Sequence, residues 1–191
     1  MNRNTKITAY RIQKDEKGDI FHQRTYSYLN TKEIWVYGLD DDDVFNVFGE
    51  GENLIKIRLI GGQNKDTYNI ESGNKVKVYD YKSRESKFTT NKGSVKFTDD
   101  YETNVYDYKK LKYDSNQVIP SFGANPDDGF KIGIKNTYSV YGFERNPFTS
   151  QHTFLAQYYF ATNGFDLSYI GEFANVLGNW NLNLETIFTS P

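Results

Sequence analysis

Beyond Arg145 the chain contains neither lysine nor arginine: all 23 basic residues lie at or before that position. The same stretch keeps aromatic and aliphatic residues at alternate positions over long runs, and only Asp166, Glu172 and Glu185 carry acid charge. Strict alternation has a period of two and puts successive side chains on opposite faces of a strand. Residues 165–177 place Phe165, Leu167, Tyr169, Phe173 and Leu177 against Asp166, Ser168 and Glu172. Residues 180–189 set Trp180, Leu182, Leu184 and Phe188 against Asn181, Asn183 and Glu185. Residues 130–143 set Ile132, Ile134, Tyr138 and Val140 against Lys131, Lys135, Thr137 and Ser139. A fourth run, 152–161, reads FLAQYYFA at its centre and is apolar on both faces.

These four runs are 10 to 14 residues long. Strands of soluble sheets are usually about five or six residues, whereas about 9–11 tilted residues cross a bilayer. Tight polar turns, Ala161-Thr162-Asn163-Gly164 and Leu177-Gly178-Asn179, separate the last three runs. A soluble sheet would carry lysine on exposed faces and edges, where it blocks edge-to-edge association. A lysine facing lipid costs about 2–4 kcal/mol at the bilayer midplane. The missing cations therefore point to an outer-membrane type of barrel, with Lys131, Lys135, Asp166, Glu172 and Glu185 facing a polar lumen. Phe143, Phe148, Tyr158, Tyr159, Phe165 and Trp180 fall near strand ends and would form an aromatic girdle at the membrane interfaces.

The first part, residues 1–113, is charged and made of short strand-like runs at 7–12, 20–26, 33–37, 44–48, 55–60, 67–70, 76–81 and 94–97. It holds an internal repeat with a spacing of 23: Ile34, Val36, Gly38, Asp43, Phe45, Asn46 and Val47 recur as Ile57, Leu59, Gly61, Asp66, Tyr68, Asn69 and Ile70. Each copy reads strand, glycine turn, acidic loop, second strand, which predicts stacked turns of a small β-solenoid or a β-sandwich-like domain. A third copy at 76–80 is faint. Residues 114–129 gather Pro, Gly, Asn and Asp and read as a linker to the long strands of 130–191.

Composition agrees with an all-β chain, since Tyr (16), Phe (14), Thr and Val favour strands. A net charge of −2 gives no basic footprint for nucleic acid. The absence of cysteine excludes disulfides and thiolate metal sites and fits an oxidising envelope compartment. No run approaches the roughly 18 apolar residues of a membrane-spanning helix. The first residues show no apolar signal core, and both ends read as cut from a longer protein.

Several motifs together resemble a known family. TKEIWVYGLDDDDVFNV, IKIRLIGGQNKDTYNI, NPDDGFKIG, GFERNPF and TNGFDLSYIGEF resemble the pre-barrel segments and opening strands of Gram-negative outer-membrane proteins with a surface-antigen (BamA/TamA-like) barrel. Such proteins often carry a calcineurin-like phosphoesterase domain upstream. The resemblance spans nearly the whole chain and implies a fragment: a periplasmic β-domain followed by four barrel strands. Its partners would be outer-membrane lipid and the remaining barrel strands.

Chemistry-bearing residues are sparse. Asp40, Asp41, Asp42, Asp43 and Asp66 follow glycine turns, half of a calcium-binding nonapeptide pattern, so calcium is the one cofactor the residues suggest. Leu39, Asp41 and Asn64 stand where that pattern has glycine, and solvated turns with aspartate accepting backbone N–H groups are the other reading. His22 and His152 have no second ligand at metal spacing. The phosphoesterase signatures are absent, as are G-x-S-x-G, G-K-[ST] and H-E-x-x-H. The expectation is a non-catalytic chain. A soluble secreted module that binds calcium or glycan, and a piece of a phosphoesterase with its catalytic domain upstream, are the alternatives.

Overall fold

The computed structural model describes residues 4–14, 16–51, 54–110, 113–127, 129–144, 148–177 and 180–190. Arg145 and the Gly178-Asn179 turn lie outside the described residues. The chain is all-β apart from one short helix, and it divides into two units, Met1–Tyr106 and Asp107–Pro191.

In the first unit, β1 (Asn4–Gln13) and β2 (Glu16–Ser27) form an antiparallel hairpin. A parallel β-solenoid follows. One of its sheets has the order β3 (Glu33–Leu39), β5 (Lys56–Gly62), β7 (Val76–Asp80), β9 (Ser94–Phe97). The other has the order β4 (Val44–Val47), β6 (Thr67–Ile70), β8 (Lys87–Asn91). The repeat read from the sequence is the register of the first two coils: Ile34 pairs Ile57, Val36 pairs Leu59, Phe45 pairs Tyr68 and Val47 pairs Ile70.

Apolar side chains from successive coils meet inside, where Ile57, Leu59, Tyr68, Ile70, Val76 and Val78 make the core. Phe45, Tyr68 and Phe88 stack one per coil, with centroids 5.1 and 4.9 Å apart. The faint third copy is a real coil. Its spacing contracts, so that Ile57 pairs Val76 and Thr67 pairs Lys87, with a register shift after Tyr68. A search at constant period misses it, and β8 (KFTTN) was not foreseen as a strand. Helix α1 (Tyr101–Asn104) is capped by Asp100, whose carboxylate accepts from the Thr103 N–H at 3.1 Å, and it packs on β5 and β7.

The second unit is one antiparallel meander: β10 (Ser115–Asn125), β11 (Gly129–Val140), β12 (Ser150–Tyr159), β13 (Gly164–Leu177) and β14 (Trp180–Thr189). The expected four strands are present, and a fifth corrects the linker assignment. Val118 and Phe122 of β10 stand opposite Asn136 and Ile132 of β11. Pro120 suggested a break, but β10 is an edge strand of the described sheet, and there a missing N–H costs no ladder bond.

Candidate functional site

Two places gather the residues singled out from the sequence: the turns after β3, β5 and β7, and the two faces of the five-stranded sheet.

At the first, Gly38 and Gly61 occupy equivalent places in consecutive coils, one residue beyond the paired Tyr37 and Ile60. Neither takes a positive φ. What each needs is space. A Cβ on Gly38 would run into the Asp43 carboxylate, and one on Gly61 into Asp66, Tyr68 and Asp80 at once. The aspartates of the repeat thus fold back over the glycines of their own coil. In the third coil Asp80 itself stands at this position, next after Tyr79, the partner of Ile60.

The row is buried toward its middle. Asp66 and Asp80 are 1% and 0% exposed, Asp43 is half-buried, and Asp40, Asp41 and Asp42 are exposed. Asp80 accepts from Tyr68 Oη at 2.9 Å, Ser86 Oγ at 2.5 Å and its neighbour's N–H at 2.7 Å. Asp66 Oδ1 accepts the Asp43 N–H at 2.9 Å, while Asp66 Oδ2 and Asp43 Oδ2 are buried without a hydrogen-bond partner among the described residues. An ionised oxygen in that position is unfavourable. Burial, then the neighbouring carboxylates, push the Asp43 carboxyl up to about 6. Burial likewise pushes Asp66 up to about 7, against the opposing bond from the Asp43 N–H and with added repulsion from Asp80.

Among the described residues no three carboxylates or imidazoles converge where a metal could sit. Burial of Asp66 favours its neutral carboxyl over the charged form. Sequence reasoning missed Asp80 and Tyr68 as members of this row; the only signal was the faint third copy ending in Asp80.

At the second place, cross-strand partners share a face, so the register assigns sides. Lys131 pairs Tyr159, Lys135 pairs Leu155, Gln157 pairs Asp166, Gln151 pairs Glu172, and Ile170 pairs Glu185. Following these pairs from strand to strand puts Lys131, Lys135, Asp166, Glu172 and Glu185 on one face. They are all the Lys, Arg, Asp and Glu residues that β10–β14 contain. The register also resolves the ambiguous run: Phe154, Ala156 and Tyr158 join the uncharged face, and Thr153, Leu155 and Gln157 the charged one.

The charged face is hydrogen-bonded and half-buried over β12 and β13, while Lys135 and Glu185 are exposed. Ser139 is buried and accepts from Gln151 Nε2 at 2.7 Å, and Tyr159 Oη donates to Asp166 at 2.6 Å. The uncharged face stays open, with Phe154 and Leu167 about half exposed (50% and 47%). A shallow depression of about 460 Å³, lined by Val118, Ile134, Phe154, Leu167 and Phe188 among others, crosses it.

The aromatic residues separate. Tyr158 and Phe165 lie on the uncharged face at one end of the sheet, where ring pairs Phe130–Phe160, Tyr158–Phe160 and Phe165–Phe188 lie 5.1 to 5.8 Å apart. Trp180 opens β14 at the opposite end and is 79% exposed, and Phe148 is half-buried just before β12. Two residues depart from the girdle expectation. Phe143 is buried at 3%, with the Lys110 ammonium 5.3 Å from its ring and donating to its carbonyl at 2.5 Å. Tyr159 points to the charged face. His152 sits within β12, where its Nδ1 is 2.9 Å from Tyr169 Oη and its ring packs on Tyr138 and Phe173.

No family model, curated protein or solved structure matches this chain.

Proposed function

We propose that this chain is a non-catalytic segment of an outer-membrane β-barrel protein. In this reading β10–β14 are opening strands of the barrel, and the solenoid unit is a periplasmic β-domain. The observation that carries the reading is the segregation of charge. Every Lys, Arg, Asp and Glu of the five strands is on one face, and the other face is mostly apolar and aromatic, with Asn116, Asn136, His152 and Thr186 among its polar members and Phe154 and Leu167 about half exposed.

Lipid supplies the missing burial for such a face, and a polar lumen suits the charged one. The strands are 10 to 14 residues long, enough to cross a bilayer with tilt. The paired aromatics at one end and Trp180 at the other suit the two interfaces. Five strands cannot close, as the smallest such barrels have about eight. The open edges of β10 and β14 therefore call for further strands, which makes those strands and lipid the partners of this unit.

The test places a fluorophore on adjacent residues of the full chain refolded into vesicles that contain brominated lipids. A label on Leu167→Cys is expected to be quenched and one on Ser168→Cys to be spared. Equal quenching at the two positions, or a full chain that is monodisperse without detergent, would remove the proposal.

A further inference from the structure

We propose that the solenoid carries a binding site for a multivalent phosphate group at the leading ends of β5, β7 and β9. Three consecutive coils each place a lysine there. Lys56 and Lys75 immediately precede the paired residues Ile57 and Val76, and Lys92 lies two residues before Ser94, the partner of Lys77. Neighbouring strands are about 4.8 Å apart, so the three lysines form a ladder of like charge running across the coils. Like charges directly opposite one another in a sheet oppose folding, and acidic partners normally interleave them.

Here the partners are few. Glu33 stands beside Lys56 in the first coil, 3.6 Å from its ammonium, and is shared with Arg58. The next two rungs face a groove of about 490 Å³ lined by Lys56, Asn74, Lys75, Lys77, Lys92 and Ser94, together with the glycines between them. Among the described residues lining this groove there is no carboxylate.

A second observation singles out Lys75. It takes φ 62°, the left-handed region that favours glycine or asparagine over a residue with a long side chain. A backbone held there invites a functional reason. This turn sends the Lys75 ammonium back over the corner, where one of its three N–H donors reaches the Leu54 carbonyl at 3.1 Å. The ammonium also lies 5.7 Å from the Tyr28 ring, and its remaining N–H donors can serve a ligand. The groove presents several compact ammonium donors, an amide and a hydroxyl. Among the described residues lining it there is no guanidinium fork for a single carboxylate. Clustered lysines acting as point charges suit phosphate oxygens. Their spacing along the coils favours a group carrying more than one phosphate.

Two sources share that chemistry, a soluble polyphosphate and a phospholipid headgroup. The experiment titrates the detergent-solubilised full chain with tripolyphosphate in a calorimeter, in parallel with Lys75→Gln/Lys92→Gln, Lys92→Gln alone and the charge-matched hairpin variant Lys6→Gln/Lys17→Gln. Saturable binding is expected, weakened about tenfold or more by the double substitution and unchanged by the hairpin variant. Lys92 is exposed on the coil, so its single variant reports even if the pair perturbs folding. Vesicles of phosphatidylcholine with phosphatidylglycerol then separate the sources: displacement of tripolyphosphate assigns the site to headgroups, and none assigns it to a soluble phosphate. No saturable binding, or equal weakening in the solenoid and hairpin variants, overturns the proposal.

Discussion

The two units dispose their apolar residues differently, although both are built almost wholly from strands. In the solenoid Ile60, Ile70 and Val78 are fully buried while lysines line an outer corner. In the five-stranded sheet the apolar side chains are the open ones, and Ser139 and Asp166 are held by hydrogen bonds on the more enclosed face. A solenoid coil returns to meet itself, so each turn completes the core of the previous one. A meander does not. Among the described residues no second layer of the same unit covers its apolar face, and that is the burial the proposed lipid contact would supply.

The comparison breaks most severely at Gly61. Valine there would drive a branched side chain into Asp66, Tyr68 and Asp80, none of which can move outward without emptying the core. Overpacking usually costs about 1–3 kcal/mol, and three obstructed groups put this site at or beyond the top of that range. Native-state hydrogen exchange should show protection lost across β3–β9 while β11–β13 keep theirs. A uniform loss over both units would refute the idea that the solenoid completes itself.

The buried carboxylate row gives the next effect. Asp66 ionises near 4 when unfolded and at about 7 in the fold, so the folded protein holds the extra proton between those values. Stability from this group is therefore full below about pH 4 and falls as pH rises through 4 to 7. The shift corresponds to about 4 kcal/mol as an upper bound, with Asp43 adding a smaller effect of the same sign. Asp66→Asn keeps the shape and removes the titration. Its urea midpoint should exceed that of the parent at pH 8 and fall to parity or below at pH 4. Parallel pH profiles for the two proteins would show that Asp66 is charged in the fold.

How much of this was legible depends on whether an interaction leaves a period. Alternation in β11, β13 and β14 marks both faces, so the charged set Lys131, Lys135, Asp166, Glu172 and Glu185 could be read directly. The first two coils share a spacing of 23, and their register followed. The third coil contracts its period, so β8 and the place of Asp80 stayed hidden. Strand β10 was masked by Pro120 and by glycines, which local rules assign to turns and which an edge strand tolerates. The inward turn of Phe143 and the outward face of His152 are set by contacts between segments remote in sequence. No local pattern encodes them.

The smallest expected effect lies on the charged face of the sheet. Tyr159 Oη donates to Asp166 Oδ2 at 2.6 Å, and Asp166 Oδ1 has no hydrogen-bond partner among the described residues. In a dry core, removing the hydroxyl would leave a carboxylate oxygen without its donor, at about 1–3 kcal/mol or more. Beside a water-filled lumen, water replaces the lost donor and the cost falls to about 1 kcal/mol or less. Tyr159→Phe in the full chain refolded into vesicles should therefore shift the urea midpoint only slightly. A loss well above about 2 kcal/mol would mean that this face is sealed, as a solenoid interior is, and the contrast between the two units would have to be redrawn.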